Sequence, residues 1–401
     1  MNKREEMVKF QDINVFIYEN INEIGEVNWE KCAKNKIGMI SSDPFTTYRF
    51  LELLEDSSSV GKNSGWLPRY LVAKVNDQVI GVAPMYAKNH SQGEYVFDHS
   101  WAHAYQKAGG NYYPKIQIAA PFTPAAGKRF LVCDGYEKIG TEALIGAVKH
   151  LCEKNNISGF HVTFCTEFEV TIGKEQGLLH RTGQQFHWLN NDYKNFEDFL
   201  SDLSSRKRKA IRKERRRAND FGGDIIRLTG DQIQLRDWED FWLFYQDTSE
   251  RKWGQTYLTK EFFLSLHEKM RDDVLLIMCK RGGRNVAGAL NFISKDVLFG
   301  RYWGCLEDHS FLHFEVCYYQ AIEYAIENSL LRVEAGAQGH HKIARGYMPV
   351  TTHSLHWVVD PGFNDAINSF LEAERNAVDD QNEILTSYGP FKRNLSEEVY
   401  E

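Results

Sequence analysis

No CxxC pair occurs in this 401-residue chain, and its seven cysteines are scattered and odd in number. That pattern argues against a disulfide framework and for a reducing compartment, the cytoplasm being the simple reading. No uninterrupted apolar stretch approaches the ~18 residues of a membrane span. The first ten residues, MNKREEMVKF, are charged and lack the apolar core of a secretory signal. An excess of positive charge is missing too: the formal net charge is −7, which argues against general affinity for nucleic acid or anionic membranes and leaves room for a local patch. What is there is a soluble globular composition, 42% hydrophobic and 26% charged, on a chain long enough to predict two domains. Aromatic residues make up 13%, enough for aromatic-lined grooves as well as core.

Hydrophobic spacing predicts helices over 25–36 and 45–56, the second opened by Asp43 and Pro44. Alternating strands over 70–75 and 78–86 meet at Asn76-Asp77, a hairpin signal. Residues 91–115 lose periodicity and read as a long loop, a common place for function. Strands over 115–120 and 129–133, a helix over 141–153 and strands over 159–164 and 184–189 complete the first half. The second half repeats this order: a strongly basic helix over 196–218, helices over 237–251 and 259–270, a hairpin over 274–280 and 285–293, and a last strand over 351–358. QVIGVA at 78–83 resembles NVAGAL at 285–290, and FHWL at 186–189 resembles LHWV at 355–358. Two matches in the same order predict an internal duplication, with domains 1–191 and 192–401 separated at the polar cluster Asn190-Asn191-Asp192.

Residues 298–349 are the best-equipped stretch. A strand over 297–303 is followed by a helix capped by Ser310, a strand over 330–335, and a loop over 336–346 crowded with Gly, His, Lys and Arg. Ligands in open α/β sheets sit outside strand ends of this kind, which marks the loop as the first place to look for an active site.

Helices, a hairpin with a central Gly, then strand–helix–strand is the order of the GNAT acyltransferase fold. Two such units in tandem resemble the Fem-type aminoacyltransferases of peptidoglycan synthesis. The basic run from Ser204 to Arg217, followed by FGGDIIRL, and Lys342-Ile343-Ala344-Arg345-Gly346 resemble the opening helix and the Lys-containing loop of their second domain. A closer resemblance is to predicted FemAB-like N-acyltransferases labelled peptidoglycan biosynthesis or recognition proteins. It is carried by HSQGEYVFDHSWAHAY, YYPKIQIAAPFTPAAGKRFLV, QQFHW, SRKRKAIRKER, RKWG, GRYWGC, LHFEVCYYQAIEYAIE and VEAGAQGHHKIARGY. The resemblance implies an α/β (mixed α+β) chain of two tandem GNAT-like domains, each a mixed, mostly antiparallel sheet flanked by helices. Acetyl-CoA-binding relatives carry an Arg/Gln-x-x-Gly-x-Gly/Ala loop whose N–H groups hold the pyrophosphate. Arg301-Tyr302-Trp303-Gly304-Cys305-Leu306 fails at the end of that pattern, and Fem-type enzymes, which lack it, take aminoacyl-tRNA. The donor is left open between acyl-CoA and aminoacyl-tRNA, with no tightly bound cofactor and a small-molecule or peptide amine as acceptor.

Acyl transfer to an amine needs a deprotonated amine, a polarised carbonyl and attack geometry. The resemblance assigns carbonyl polarisation to the splayed strand over 297–303, with Arg301 and Trp303 beside the substrate. The candidate bases are Glu315, at a helix start, and Glu334, at a strand end. Lys342 offers charge for a phosphate or carbonyl. Against these roles stand plain pairing of Glu334 with Lys342 or Arg345, and plain capping by Glu315. Gln338, His340, His341 and Arg345 in the glycine-rich loop are candidate substrate contacts, as are Asp98, His99 and His103 in the long loop. His99 and His103 have helical i, i+4 spacing but lack a clear third metal ligand, so no metal site is expected. Arg251, Lys252 and Trp253 suit a phosphate beside a planar group, although cations also simply favour a helix C-terminus. Glu167 is the matching polar residue of the first half, which is expected to shape the acceptor side of a cleft. His187 and His356 read as core histidines, and Cys305 and Cys317 as small packing residues. No nucleophile elbow is present, so direct transfer is expected. The run bounded by Arg206 and Arg217 holds nine cations and one Glu that wrap the whole helix; it is either a solvated face or a tRNA contact. The competing function is a non-catalytic module that recognises a cell-wall fragment or RNA.

Overall fold

A computed structural model describes residues 6–10, 12–34, 43–253, 256–336 and 339–392. It divides into two units that interleave along the chain. The first contains residues up to Gly183 with Tyr257–Met270 and Thr351–Asp379; the second contains Gln184–Thr256, Arg271–Val350 and the chain from Asp380 on. The expected single cut near 191 therefore gives way to an exchange of segments.

In the first unit, the hairpin Tyr70–Val75/Gln78–Ala83 turns at Asn76 and Asp77, whose φ values of 46° and 65° fit the tight turn the sequence announces. It sits in an antiparallel sheet with Glu6–Phe10, Ile13–Tyr18 and Leu131–Val132. The helix Glu137–Lys154 buries Leu144, Ala147 and Val148 in this unit's core. A second ladder joins Trp66–Pro68, Met85–Lys88, Lys115–Ile118 and Gly159–Cys165, and His353–Val358 pairs antiparallel with the last of these. Residues 91–115, expected as loop, contain the helix His99–Lys107, because Trp101 and Ala102 find a core with Tyr112, Leu179 and Leu371. The helix Glu167–Glu175, closed by a Thr166/Glu169 capping box, and the helix Pro361–Ser387 had no counterpart in the sequence reading.

In the second unit, strands run in the order Asp224–Thr229, Val274–Arg281, Arg284–Ile293, Val297–Cys305, Arg332–Glu334, with His187–Leu189 on the far side of Arg332–Glu334. The two His-Trp strands have thus traded places: 187–189 completes the second unit and 353–358 the first, a non-local choice that the pattern of one half cannot reveal. The basic stretch is two helices, Phe196–Asp202 and Ser205–Asn219. Leu203 takes an extended conformation and is fully buried between them, so burial of one leucine breaks the run. Each unit is GNAT-like: a mixed, mostly antiparallel sheet with helices packed on it.

Candidate active site

The strands Val297–Cys305 and Arg332–Glu334 run parallel only over Val297↔Arg332, Leu298↔Val333 and Phe299↔Glu334. Beyond Phe299 the pairing ends. On its other edge the same strand slips register, Leu290 facing Tyr302 and Asn291 facing Gly300, so Arg301 is an extra residue with no opposite number. A bulge of this kind bends the strand and leaves backbone groups outside the ladder. Strand splay and bulge coincide at Gly300–Tyr302, and a pocket of about 120 Å³ opens there, lined from this strand by Gly300, Arg301, Tyr302 and Trp303 and across from it by Ala335.

The opposite wall comes from the helix that follows. Its first turn, Leu312–Phe314, passes into a π-helical turn over Glu315–Tyr319 before regular helix resumes at Gln320–Glu327. Its N-cap is Phe311 in a left-handed conformation, φ 66°, rather than the expected Ser310. The first turn presents His313 to the pocket and the wider turn Cys317 and Tyr318, and π-helical turns recur at functional sites. The Tyr318 hydroxyl lies 3.0 Å from Nε2 of His341. Burial raises the Tyr318 pKa, keeping the phenol protonated. Burial and then the Arg345 and Lys342 charges lower that of His341, favouring a neutral ring beside the phenol. Trp303, His313, Phe314 and Tyr318 make an aromatic surround, with ring centroids 5.4 Å apart for Trp303–His313 and 5.5 Å for His313–Tyr318. Sequence reasoning missed Tyr318 and His313; the signal was there as paired i, i+4 spacings, His313 with Cys317 and Phe314 with Tyr318. Cys317, read as packing, is one of the lining residues.

The expected acid–base groups fall elsewhere. Glu315 is 0% exposed, and its carboxylate is gripped by Arg215 at 2.9–3.2 Å and by Gln320 at 2.8 Å, so it does not line the pocket. Glu334, 3% exposed, accepts from Arg332 at 2.9 Å, and its second oxygen stands 3.7 Å from His187; Lys342 and Arg345 are not its partners. Lys342, 4% exposed, donates to the carbonyls of Ala335 and Gly336 at 2.5 and 3.1 Å. It thereby ties down the loop beyond Glu334, and burial lowers its pKa to about 8. Arg345 donates to the His341 carbonyl at 2.6 Å and to Glu214 at 2.8 Å while stacking on Phe314 at 3.5 Å. His340 is exposed and edge-on to Phe186; Gln338 lies outside the described residues. Arg251 pairs with Asp247 in its own helix, of which Lys252 and Trp253 are the last two residues.

In the first unit, Asp98 is buried in an ionic chain. Lys115 binds it together with Glu94 and Ser91, and the Tyr112 hydroxyl donates to it at 2.7 Å. Burial alone would raise the Asp98 pKa, but the Lys115 ammonium holds it below the usual carboxylate range. Tyr112 continues to His161 at 3.1 Å and His161 to His356 at 2.7 Å. His99 and His103 are exposed on their helix, and Glu167 is a largely exposed first-turn residue 3.8 Å from His353. His187 and His356 are buried, as core histidines should be.

The basic helix is more sided than its sequence indicates. Ile211 and Ala218 are buried, and Glu214 and Arg215 turn inward to Arg345, Tyr319 and Glu315. Arg206, Lys209, Arg212, Lys213, Arg216 and Arg217 remain exposed on the other half of the helix.

Splayed strands, a bulge at the splay and a following helix that closes the pocket define the GNAT class of acyltransferase-like proteins. The chain belongs to the FemAB-like family, described as peptidoglycan biosynthesis/recognition, whose sequence pattern matches residues 20–393. That membership makes it acyl- or aminoacyl-transferase-like. Among solved structures it is similar to FemX (12% identity, TM-score 0.53, covering 88% of this chain and 99% of that one). It is similar also to the C-terminal domain of a putative lysylphosphatidylglycerol synthetase from Agrobacterium fabrum (8% identity, TM-score 0.53, covering 88% and 97%). No curated protein matches the sequence. Among the described residues, no helix is long and apolar enough to cross a membrane.

Proposed function

We propose that the chain is an N-acyltransferase that moves an aminoacyl group from the ester of an aminoacyl-tRNA to an amine of a peptidoglycan-related acceptor. The observation that carries this reading is the pocket at the splay of Val297–Cys305 and Arg332–Glu334, with Tyr318 on its wall and His341 behind it. Backbone N–H groups at the Gly300–Tyr302 bulge are suited to hold the oxyanion that develops when the amine attacks the ester carbon. The amine gives up one proton and the leaving hydroxyl gains one, so a single relay completes the exchange. Neutral His341 takes up the proton released by the amine and returns one through Nε2–H to the Tyr318 oxygen, while Tyr318 passes its own proton to the leaving oxygen.

Two features favour RNA-borne ester over acyl-CoA. The turn where a CoA pyrophosphate would meet the helix carries Glu307 and Asp308, and Glu307 is engaged by Arg281 and His309 at 3.0 Å each. Gly304 serves packing instead of phosphate: a Cβ there would come within 2.2 Å of the Phe244 carbonyl oxygen. The exposed cationic half of the basic helix supplies what phosphates need. The family description supports a peptidoglycan-related acceptor.

The test offers the purified protein labelled aminoacyl-tRNA or acyl-CoA with a peptidoglycan-precursor peptide bearing a free amine. Label is expected to pass to the peptide from aminoacyl-tRNA. Transfer from acyl-CoA alone, or retention of RNA without transfer, contradicts the reading; the latter outcome belongs to a binding module.

A further inference from the structure

Two of the seven cysteines meet in the first unit, far from the pocket in sequence. Cys32 is on the buried face of the helix Glu26–Ala33, and Cys133 directly follows the strand Leu131–Val132. Their sulfurs lie 3.2 Å apart, and both residues are free thiols. The rest of the contact is built to hold them there: the Cys133 N–H donates to the Ile80 carbonyl at 2.8 Å, and the neighbouring Lys31 ammonium donates to the Val79 carbonyl at 3.1 Å. A disulfide bond of about 2.05 Å needs the sulfurs to close by roughly 1 Å, a side-chain adjustment.

We propose that Cys32 and Cys133 form a dithiol modification site that closes to a disulfide by exchange with a low-molecular-weight disulfide. Cys133 is the entry point. It is 8% exposed where Cys32 is 0%, so the reagent reaches it first. The Cys32 hydrogen bond, with help from Lys31, lowers the Cys133 pKa to about 7, while that of Cys32 is raised. Nucleophilic attack requires thiolate, which gives Cys133 the first step. Its thiolate attacks one sulfur of the reagent, forms a mixed disulfide and releases one small thiolate. Cys32 then loses its proton to that thiolate and attacks the Cys133 sulfur, releasing the second. Two cysteines are oxidised, one small disulfide is reduced to two thiols, and the new bond closes a loop across a sequence separation of 101. Cross-links over long loops restrict the unfolded chain most, so closure raises stability.

Native protein is exposed to oxidised glutathione, quenched with acid, alkylated and mapped by mass spectrometry. The expected product has lost two hydrogens, carries a Cys32–Cys133 cross-linked peptide, and melts several degrees higher; reductant reverses all three. In Cys32→Ser, glutathione should remain attached to Cys133; in Cys133→Ser, Cys32 should stay unmodified. Recovery of both alkylated thiols from oxidant-treated wild-type protein, or a cross-link mapped to other cysteines, overturns the proposal. The wild-type map decides this even if a serine variant folds poorly.

Discussion

The guanidinium of Arg215 spans both carboxylate oxygens of Glu315, joining residues 100 apart in sequence. Glu315 is fully buried and Arg215 retains 20% of its side-chain exposure, so the carboxylate depends on this partner and Gln320. Arg215→Met should therefore cost about 3 kcal/mol or more, because it strands a buried charge. Urea unfolding of Arg215→Met and of Arg215→Met/Glu315→Gln checks this: the second substitution should recover a good part of the loss. Equal stabilities for wild type and Arg215→Met would show that the clamp contributes nothing.

Tyr318→Phe keeps the ring in its aromatic surround and removes only the hydroxyl. We expect kcat to fall by roughly 10²-fold with KM little changed, the usual scale for losing a proton-transfer group. The kcat profile should also lose activity as pH falls through the depressed His341 pKa, below the ordinary 6.5, since a protonated ring cannot take up the amine's proton. In His341→Ala that acid limb should disappear along with most of the activity.

Lys342 gives a stability prediction with a definite sign. Its folded pKa of about 8 lies below the ordinary 10.5, so between those values the unfolded chain binds more protons and this group's contribution to stability rises with pH. Wild type should gain on Lys342→Met across pH 8 to 10.5, with a slope of at most about 1.4 kcal/mol per pH unit. A constant gap between the two proteins over that window would contradict the assignment.

Much of the fold was legible because it is local. The Asn76-Asp77 hairpin, the Gly282-Gly283 hairpin and the strand Val297–Cys305 follow from alternation and turn residues. What escaped is non-local. Nothing near His187 or His356 says that their strands complete opposite units. The even spread of charge from Arg206 to Arg217 hid the inward turn of Glu214 and Arg215. The sequence points to the strand end where the pocket opens, and to carboxylates that the structure pairs away from that pocket. Glu315 and Glu334 stand out in sequence because they are charged, and they are held by arginines for the same reason. Tyr318 and His341 look ordinary until the π-helical turn and the glycine-rich loop bring them together.

The cationic half of the basic helix predicts a salt effect. Replacing Arg206, Lys209, Lys213 and Arg216 with Gln should weaken binding of tRNA and flatten the plot of log affinity against log salt by about 0.9 for each lost phosphate contact. The pocket is untouched, so transfer at saturating donor should persist. An unchanged salt slope would move the RNA contact elsewhere.

The most direct test of the account is a single-turnover measurement with labelled aminoacyl-tRNA and an amine-bearing peptidoglycan-precursor peptide, comparing wild type, Tyr318→Phe and Glu315→Gln. The account predicts rapid transfer by wild type, transfer slowed by roughly 10²-fold in Tyr318→Phe, and a near-normal rate in whatever Glu315→Gln remains folded. Normal transfer by Tyr318→Phe, with the rate abolished in well-folded Glu315→Gln, would contradict it and return the chemistry to the carboxylate.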